Sequence, residues 1–366
     1  MMPFARFLQL VADIRGRWKG LTEHLPYYVV EGANWSIDLD GLYVAREIKS
    51  RYGLECRVIT KHKELRYLHR QVIHFGSLHL LVGRGSYVHA SNRVVVTIFH
   101  GQEEDPAFRQ SIGVLRQNGS LLSRVVVPSR AMEERVKRWG VPERVVVRIP
   151  VGVDLDLFAP PSEGQRRLIR QKLGIPEDRI VIGSFQKDGV GWTEGLEPKW
   201  IKGPDIFLGV IERLIHKLPL FVLLTGPARG YVLQGLKRLG VAHRHLLVDR
   251  YAAMASCYHA LDIYLITSRE EGGPKGLLES MATAVPVVST KVGMAQDLIE
   301  DGGNGFLCEV EDVKRLADRI SELAKDPAIR RRFAENGLAA VRKCDFKEVG
   351  RLHYERVYSP LLESLA

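Results

Sequence analysis

The sequence predicts an α/β protein with two parallel-sheet domains in tandem, on three observations. The chain has 366 residues, more than one hydrophobic core usually organises. Short apolar runs bounded by turn residues alternate with amphipathic segments, and this alternation runs its course twice. Between the two series stands "FAPPSEGQ" (158–165), which has the proline, glycine and polar residues of a linker. The expected domains are 1–155 and 156–346, with a C-terminal helix (347–366) returning to complete the first.

The first series opens with "PYYVVEG" (26–32), a strand ended by glycine, and the helical "DLDGLYVAREIKSRYG" (38–53). The runs "LECRVIT" (54–60), "QVIHFGS" (71–77), "HLLVG" (79–83) and "RVVVTIFHG" (93–101) read as strands, as does "SRVVVPS" (123–129). "RAMEERVKRWG" (130–140) is amphipathic and stops on glycine, and "ERVVVRIPVGVDLDLF" (143–158) closes this half. The second series restarts with the strand "RIVIGSFQ" (179–186), then the helix "DIFLGVIERLIHKL" (205–218). The strand "PLFVLLTGP" (219–227), the helix "GYVLQGLKRLG" (230–240) and the strand "RHLLVDR" (244–250) follow. "MASCYHALDIYLITS" (254–268) passes from helix into strand, and helices fill 312–365. Ligands of open α/β sheets sit at the carboxyl ends of the strands, so a cleft between two such domains is the expected site.

The totals exclude several classes. No run of about 18 apolar residues predicts a membrane-spanning helix, and the start lacks the apolar core and cleavage site of a signal peptide. The four cysteines, Cys56, Cys257, Cys308 and Cys344, have no metal-like spacing, so no zinc site or disulfide framework is expected. A reducing, cytoplasmic location fits. The net charge of +10 is unevenly placed: residues 1–150 carry 23 Lys and Arg against 14 Asp and Glu, and the rest carry 30 against 29. A basic N-terminal half suits an anionic lipid surface, a phosphorylated substrate or simple solubility. Phe4, Phe7, Leu8, Val11, Ile14 and Trp18 recur at helical spacing, with Arg15, Arg17 and Lys19 nearby; this is either an amphipathic helix for the inner membrane surface or an ordinary terminal helix. No zinc, recognition-helix or RNA-binding signature accompanies the charge, so nucleic acid is not an expected partner. No Gly-x-Gly-x-x-Gly follows the first strand, which disfavours a nicotinamide dehydrogenase.

The most informative stretch is "SREEGGPKGLLESMATAVPVV" (268–288), directly after the strand "DIYLITS". Pro274 suits a first helical turn, and Leu277, Leu278, Met281 and Ala282 make one apolar face. The N-terminus of that helix would offer backbone N–H groups to a phosphate, with Gly272 and Gly273 admitting a ligand close to the chain. Glu279, just over a turn in, would accept from ribose hydroxyls, and Glu271 would stand at the mouth. Taken singly, these features are also those of an ordinary turn and a solvated face.

Taken together, "EGGPKGLLESMATAVPVVSTKVG" resembles the signature of the retaining glycosyltransferases of family 4, which have the GT-B architecture: two Rossmann-like domains facing a central cleft. The motif is a Glu, seven residues and a second Glu, then a helix and a Pro-Val-Val strand; here Glu271, Glu279, Pro286, Val287 and Val288. "RIPVGVDLDLF", "WIKGPDIFLGVIERL", "DLIEDGGNGFL" and "SRVVVPSRAMEERVKRWGVP" resemble further segments of the family, so the likeness covers roughly residues 70–345. It implies a nucleoside-diphosphate-sugar donor, no cofactor and no essential metal. It also implies roles. Glu279 would hold the ribose, Glu271 the sugar hydroxyls, and Gly273 to Gly276, including Pro274 and Lys275, the diphosphate or sugar oxygens. Lys202 would neutralise the diphosphate, and His100 would stand near the reacting sugar as the second catalytic residue beside Glu271. Gly32, Asn34 and Trp35 would line the acceptor side, for a glycan or lipid-linked acceptor.

Three departures stand out. Where the family has an arginine after the first glycine of the C-terminal domain, Ser184 follows Gly183, and Lys187 is the candidate substitute. The span from Lys187 to Lys202 is longer than usual: a cleft loop or a tolerated insertion. Ala284 stands where a glycine is common. Two other readings remain: a GT-B sugar-nucleotide epimerase, which needs no acceptor, and a catalytically silent nucleotide-sugar-binding subunit, which the missing arginine favours.

Overall fold

The computed structural model describes residues 23–33, 36–162 and 164–366. It divides into two compact units: the chain up to Ile149 together with Phe346–Ala366, and Pro150–Asp345. The division falls at Ile149–Pro150, earlier than composition suggests, because the stretch from Val151 to Phe158, leading into the linker-like residues, is packed in the second unit. The Val153 N–H donates to the Cys344 carbonyl at 2.9 Å, and Phe158, fully buried, meets Tyr258 edge-on at 6.0 Å.

The first unit holds a six-stranded, wholly parallel sheet. Its strands are β1 (Pro26–Val29), β2 (Arg57–Ile59), β3 (Val72–Phe75), β4 (Arg93–Thr97), β5 (Leu122–Val127) and β6 (Val146–Arg148). They lie in the order β2-β1-β3-β4-β5-β6. Both faces are covered, so β1 and β3 are buried throughout, as parallel strands usually are. One face packs the returning C-terminus: Phe346 stacks on Tyr43 at 4.3 Å, and Tyr358 donates or accepts at His74 Nδ1, 2.7 Å away. Burial pushes the His74 imidazole well below its usual range and His353 down to about 4. The run 79–83, strand-like in sequence, lies instead in the helix Leu78–Arg84, whose first turn is capped by Ser77 accepting from the Leu80 N–H. A helix at Pro106–Asn118 had no clear sequence signal.

The second unit repeats the plan. Its strands are β7 (Ile180–Phe185), β8 (Leu220–Thr225), β9 (His243–Leu246), β10 (Ile263–Ile266), β11 (Val287–Thr290) and β12 (Phe306–Cys308). They form a parallel sheet in the order β12-β11-β10-β7-β8-β9. Helices Pro204–Leu214 and Val313–Lys325 bury Phe207, Ile211, Leu316 and Ile320 against one face. Among the described residues no helix is long and apolar enough to cross a membrane.

Candidate functional site

The chain enters the second sheet at β7, adds β8 and β9 on one side, then crosses back to add β10 and its successors on the other. The order therefore reverses between neighbours β7 and β10. In open α/β sheets that switch point is where loops part and leave room for a ligand. Both loops there carry residues singled out by the sequence: Lys187 follows β7, and Glu271 follows β10.

The β10 loop runs into the helix Lys275–Ala282, with Pro274 at the N-cap rather than inside the first turn. Glu271 Oε1 accepts from Lys202 Nζ at 2.6 Å and from Ser268 Oγ at 2.9 Å. Lys202 gets there because Gly203, at φ 62°, turns the chain from a short 3₁₀ segment (Trp200–Lys202) into the Pro204–Leu214 helix. A Cβ at Gly203 would meet the Thr267 carbonyl oxygen at 1.9 Å, so the two loops are locked together.

Glu279 is 5% exposed. Tyr251 donates to its Oε1 at 2.6 Å and Tyr258 to its Oε2 at 2.7 Å. A buried carboxylate needs such donors, and two phenols fix its plane. Burial, reinforced by the neighbouring carboxylate, pushes the Tyr258 phenol far above its usual range, so it stays a donor. Sequence reasoning missed both tyrosines, which carry no periodic signal and meet Glu279 only through the fold.

The glycines of this stretch have a different reason from the one expected. A Cβ on Gly276 would lie 2.1 Å from the Tyr264 hydroxyl, and one on Gly273 would lie 2.5 Å from Val151 Cγ2. Protein side chains, not only a ligand, demand their absence. Gly272 accepts through its carbonyl from the Met294 N–H at 2.9 Å. Lys275 reaches the Gly152 carbonyl at 2.7 Å, which ties the helix start to the 150–158 segment.

Ser184, at the position of the expected arginine, is buried and receives a guanidinium from elsewhere: Arg229 donates to the Ser184 carbonyl at 2.7 Å and to its Oγ at 3.3 Å. The Arg229 side chain is 0% exposed, so it braces the site from behind and offers nothing to a ligand. Lys187 is half-buried, with its ammonium 4.8 Å from the Trp192 ring centroid.

In the first unit, His100 lies beyond the carboxyl end of β4, half-buried and edge-on to Phe108 at 5.1 Å. Gly101, at φ 142°, accepts through its carbonyl from Arg135 at 2.7 Å. Gly32 (φ 81°) follows β1, and its N–H and that of Glu31 both donate to the buried carboxylate of Asp38, at 3.2 and 2.9 Å. Asn34, Trp35 and the amphipathic stretch Phe4 to Trp18 lie outside the described residues. Two cavities, of about 420 Å³ near Arg135 and about 430 Å³ near Arg250, are not lined by Glu271, Lys202 or Glu279.

Comparison with known sequences identifies the family. Residues 51–157 match the family described as Glycosyltransferase Family 4, and residues 188–326 match Glycosyl transferases group 1. The chain is of the glycosyltransferase family 4 type. Its curated relatives include the D-inositol 3-phosphate glycosyltransferase of Xylanimonas cellulosilytica, 30% identical over 59% of this chain and 52% of that protein. Another is the N-acetyl-alpha-D-glucosaminyl L-malate synthase of Bacillus anthracis, 32% identical over 53% of this chain and 49% of that protein. The chain thus spans about half the length of the curated relatives it matches. Among solved structures, Anabaena Alr3699/HepE in complex with UDP and glucose aligns with a TM-score of 0.75, at 19% identity, over 92% of this chain and 100% of that one. The lipopolysaccharide-biosynthesis glycosyltransferase WaaG aligns at 0.66, with 15% identity, over 92% and 100%. These likenesses establish the GT-B fold for this family 4 chain.

Proposed function

We propose that the protein transfers a sugar, with retention of anomeric configuration, from a nucleoside-diphosphate sugar to an acceptor hydroxyl. One observation carries the reading: Glu271, paired with Lys202, stands at the mouth of a helix start, and a second carboxylate, Glu279, is held rigid one turn further in. On this reading a cation and a sugar-binding acid lie beside the reacting end, with a ribose-binding acid behind them. The names of the relatives, and the UDP and glucose held by the Anabaena structure, support the same class of donor.

Ribose hydroxyls donate to Glu279; a carboxylate has about four acceptor sites, so the two tyrosines do not by themselves exhaust it. Glu271 accepts from donor-sugar hydroxyls. Backbone N–H groups of the Gly272–Gly276 stretch, with Lys202 and Lys187, face the diphosphate. As the bond from the anomeric carbon to the phosphate oxygen breaks, its electron pair stays with the nucleoside diphosphate, and the carbon gains oxocarbenium character. The acceptor oxygen bonds on the same face, and its proton passes to the departing phosphate oxygen. Fixed lysines stabilise the growing charge without a metal. His100 acts near the reacting sugar, and the acceptor, a glycan or lipid-linked sugar, is taken by the first unit beside Gly32. The basic N-terminal half suits work at the cytoplasmic face of a membrane.

Calorimetry with UDP, GDP, ADP and their sugars tests the donor site. One nucleotide is expected to bind in the micromolar range and to be lost in Glu279→Gln. Absence of binding to any of them would refute the donor reading. Binding without transfer to any acceptor, or epimerisation of the sugar alone, would move the silent-subunit or epimerase reading forward.

A further inference from the structure

The extra length between Lys187 and Lys202 is a built element. Residues on either side of a turn pair as a short hairpin: the Val190 N–H donates to the Glu197 carbonyl at 2.8 Å, and the Lys199 N–H to the Asp188 carbonyl at 2.8 Å. Its turn caps the helix Gly230–Arg238: the Glu194 and Gly195 carbonyls accept from the N–H groups of Gly230 (2.7 Å) and Tyr231 (3.0 Å). Its base is pinned by Asp188, 1% exposed, which stands 2.9 Å from Arg229. A Cβ at Gly189 or Gly195 would collide with the Ala228 backbone at 2.4 or 2.3 Å, so the hairpin lies flush.

That rigidity fixes where its lysines stand. Pairing of Lys199 with Asp188 sets Lys199 beside Lys187 across the hairpin, three residues before Lys202. Lys199 is half-buried, and among the described residues its ammonium has no hydrogen bond or ion pair. Burial first, then the charges of Lys202 and Lys187, pull its affinity for a proton down, while Glu271 partly restores it. Lys199 thus stands within electrostatic reach of both other lysines and of the Glu271 carboxylate. Lys202 is already matched by Glu271 at 2.6 Å, which leaves two uncompensated positive charges. An esterified diphosphate carries two negative ones.

We propose that Lys199, carried in by the hairpin, joins Lys187 as the cationic pair that takes a diphosphate, supplying the charge that Glu271 withdraws from Lys202. Identifying this anion as the leaving group of a sugar donor rests on the reading above; the diphosphate site itself does not. The hairpin thereby stands in for the arginine absent at Ser184.

The test is calorimetric titration of inorganic pyrophosphate, and of UDP, GDP and ADP with their monophosphates, into the full chain, using wild type, Lys199→Gln and Lys199→Arg. Melting curves check that each variant is folded. Removing one charge-assisted contact is expected to weaken pyrophosphate and the preferred nucleoside diphosphate about tenfold or more, the monophosphate less, with recovery in Lys199→Arg. Pyrophosphate weakened by Lys199→Gln, with no nucleotide binding better than pyrophosphate, would support the anion site while removing the donor reading. Diphosphate affinity within twofold of wild type in folded Lys199→Gln would overturn the proposal. So would failure of wild type to bind either pyrophosphate or any nucleoside diphosphate.

Discussion

Replacing Glu279 by alanine should destabilise the second unit as well as abolish nucleotide binding, and the size of that loss follows from its two tyrosine partners. Tyr258 is fully buried and donates at 2.7 Å; without the carboxylate its hydroxyl loses that acceptor and is left with the neighbouring Tyr264 hydroxyl. An unsatisfied buried donor costs about 1–3 kcal/mol. Tyr251 is half-buried, so water can replace part of what it loses, and its share lies near the low end. Relief from desolvating the carboxylate offsets some of this, leaving about 2–3 kcal/mol. For a unit of this size that is a fall in Tm of roughly 5–10 °C. Glu279→Gln keeps one carbonyl acceptor and should lose about 1 kcal/mol. Urea unfolding and thermal melts of Glu279→Ala, Tyr258→Phe and the double variant provide the measurement. The two single losses should not add, because each removes the same bond. A Glu279→Ala melt within about 1 °C of wild type, or strict additivity in the cycle, would refute the tyrosine cage as a stabilising contact.

Two further predictions concern backbone strain and acid. Ala284 closes the Lys275–Ala282 helix at φ 59°, with its own N–H on the Met281 carbonyl and the Val285 N–H on the Ser280 carbonyl, a Schellman ending that favours glycine. Ala284→Gly should therefore stabilise the second unit by about 1 kcal/mol, and an unchanged or lower urea midpoint would contradict that. In the first unit, His353 binds a proton only near pH 4, against about 6.5 in an unfolded chain, and burial lowers His74 in the same direction. Because the unfolded chain binds these protons first, the stability they contribute is complete above about pH 6.5 and falls as pH drops toward 4. His353 alone should account for about 2 kcal/mol between pH 7 and 5, and His353→Leu should flatten that part of the profile in urea titrations.

The parallel sheets and the Glu271–Glu279 pair were legible because each has a local signature: period, turn residues, and one acid just before a short helix with a second, a fixed distance on, within it. What was hidden depends on partners distant in sequence. Gly273 and Gly276 look like room for a ligand until Val151 and the Tyr264 hydroxyl occupy the space. Residues 79–83 are a short apolar run that fits strand or helix equally, and Ser77 decides for the helix by capping it. Residues 187–202 look like loose insertion, because nothing in their composition reveals that Arg229 and the start of the Gly230 helix hold them. Lys202 and Glu271 were each assigned a duty toward the ligand; the 2.6 Å bond between them was not foreseeable, and it changes how much charge either has left to give.

That last point bears on why the arginine can be absent. Positive charge is needed where the leaving group gathers its electrons, but the chain has freedom over which backbone position supplies it. An arginine after Gly183 would issue from the end of β7 itself; the hairpin issues from the same strand end a few residues later and returns to the start of the Pro204–Leu214 helix. Both routes open onto the switch point between β7 and β10, where the Glu271 loop also emerges. Burying Arg229 behind Ser184 then follows: a guanidinium bonded to the Ser184 and Thr225 carbonyls and facing Asp188 fastens the hairpin's base to β7 and β8. Breaking that brace should move Lys187 and Lys199 together while leaving Lys202 on Glu271, because Lys202 is anchored separately through Gly203 against Thr267.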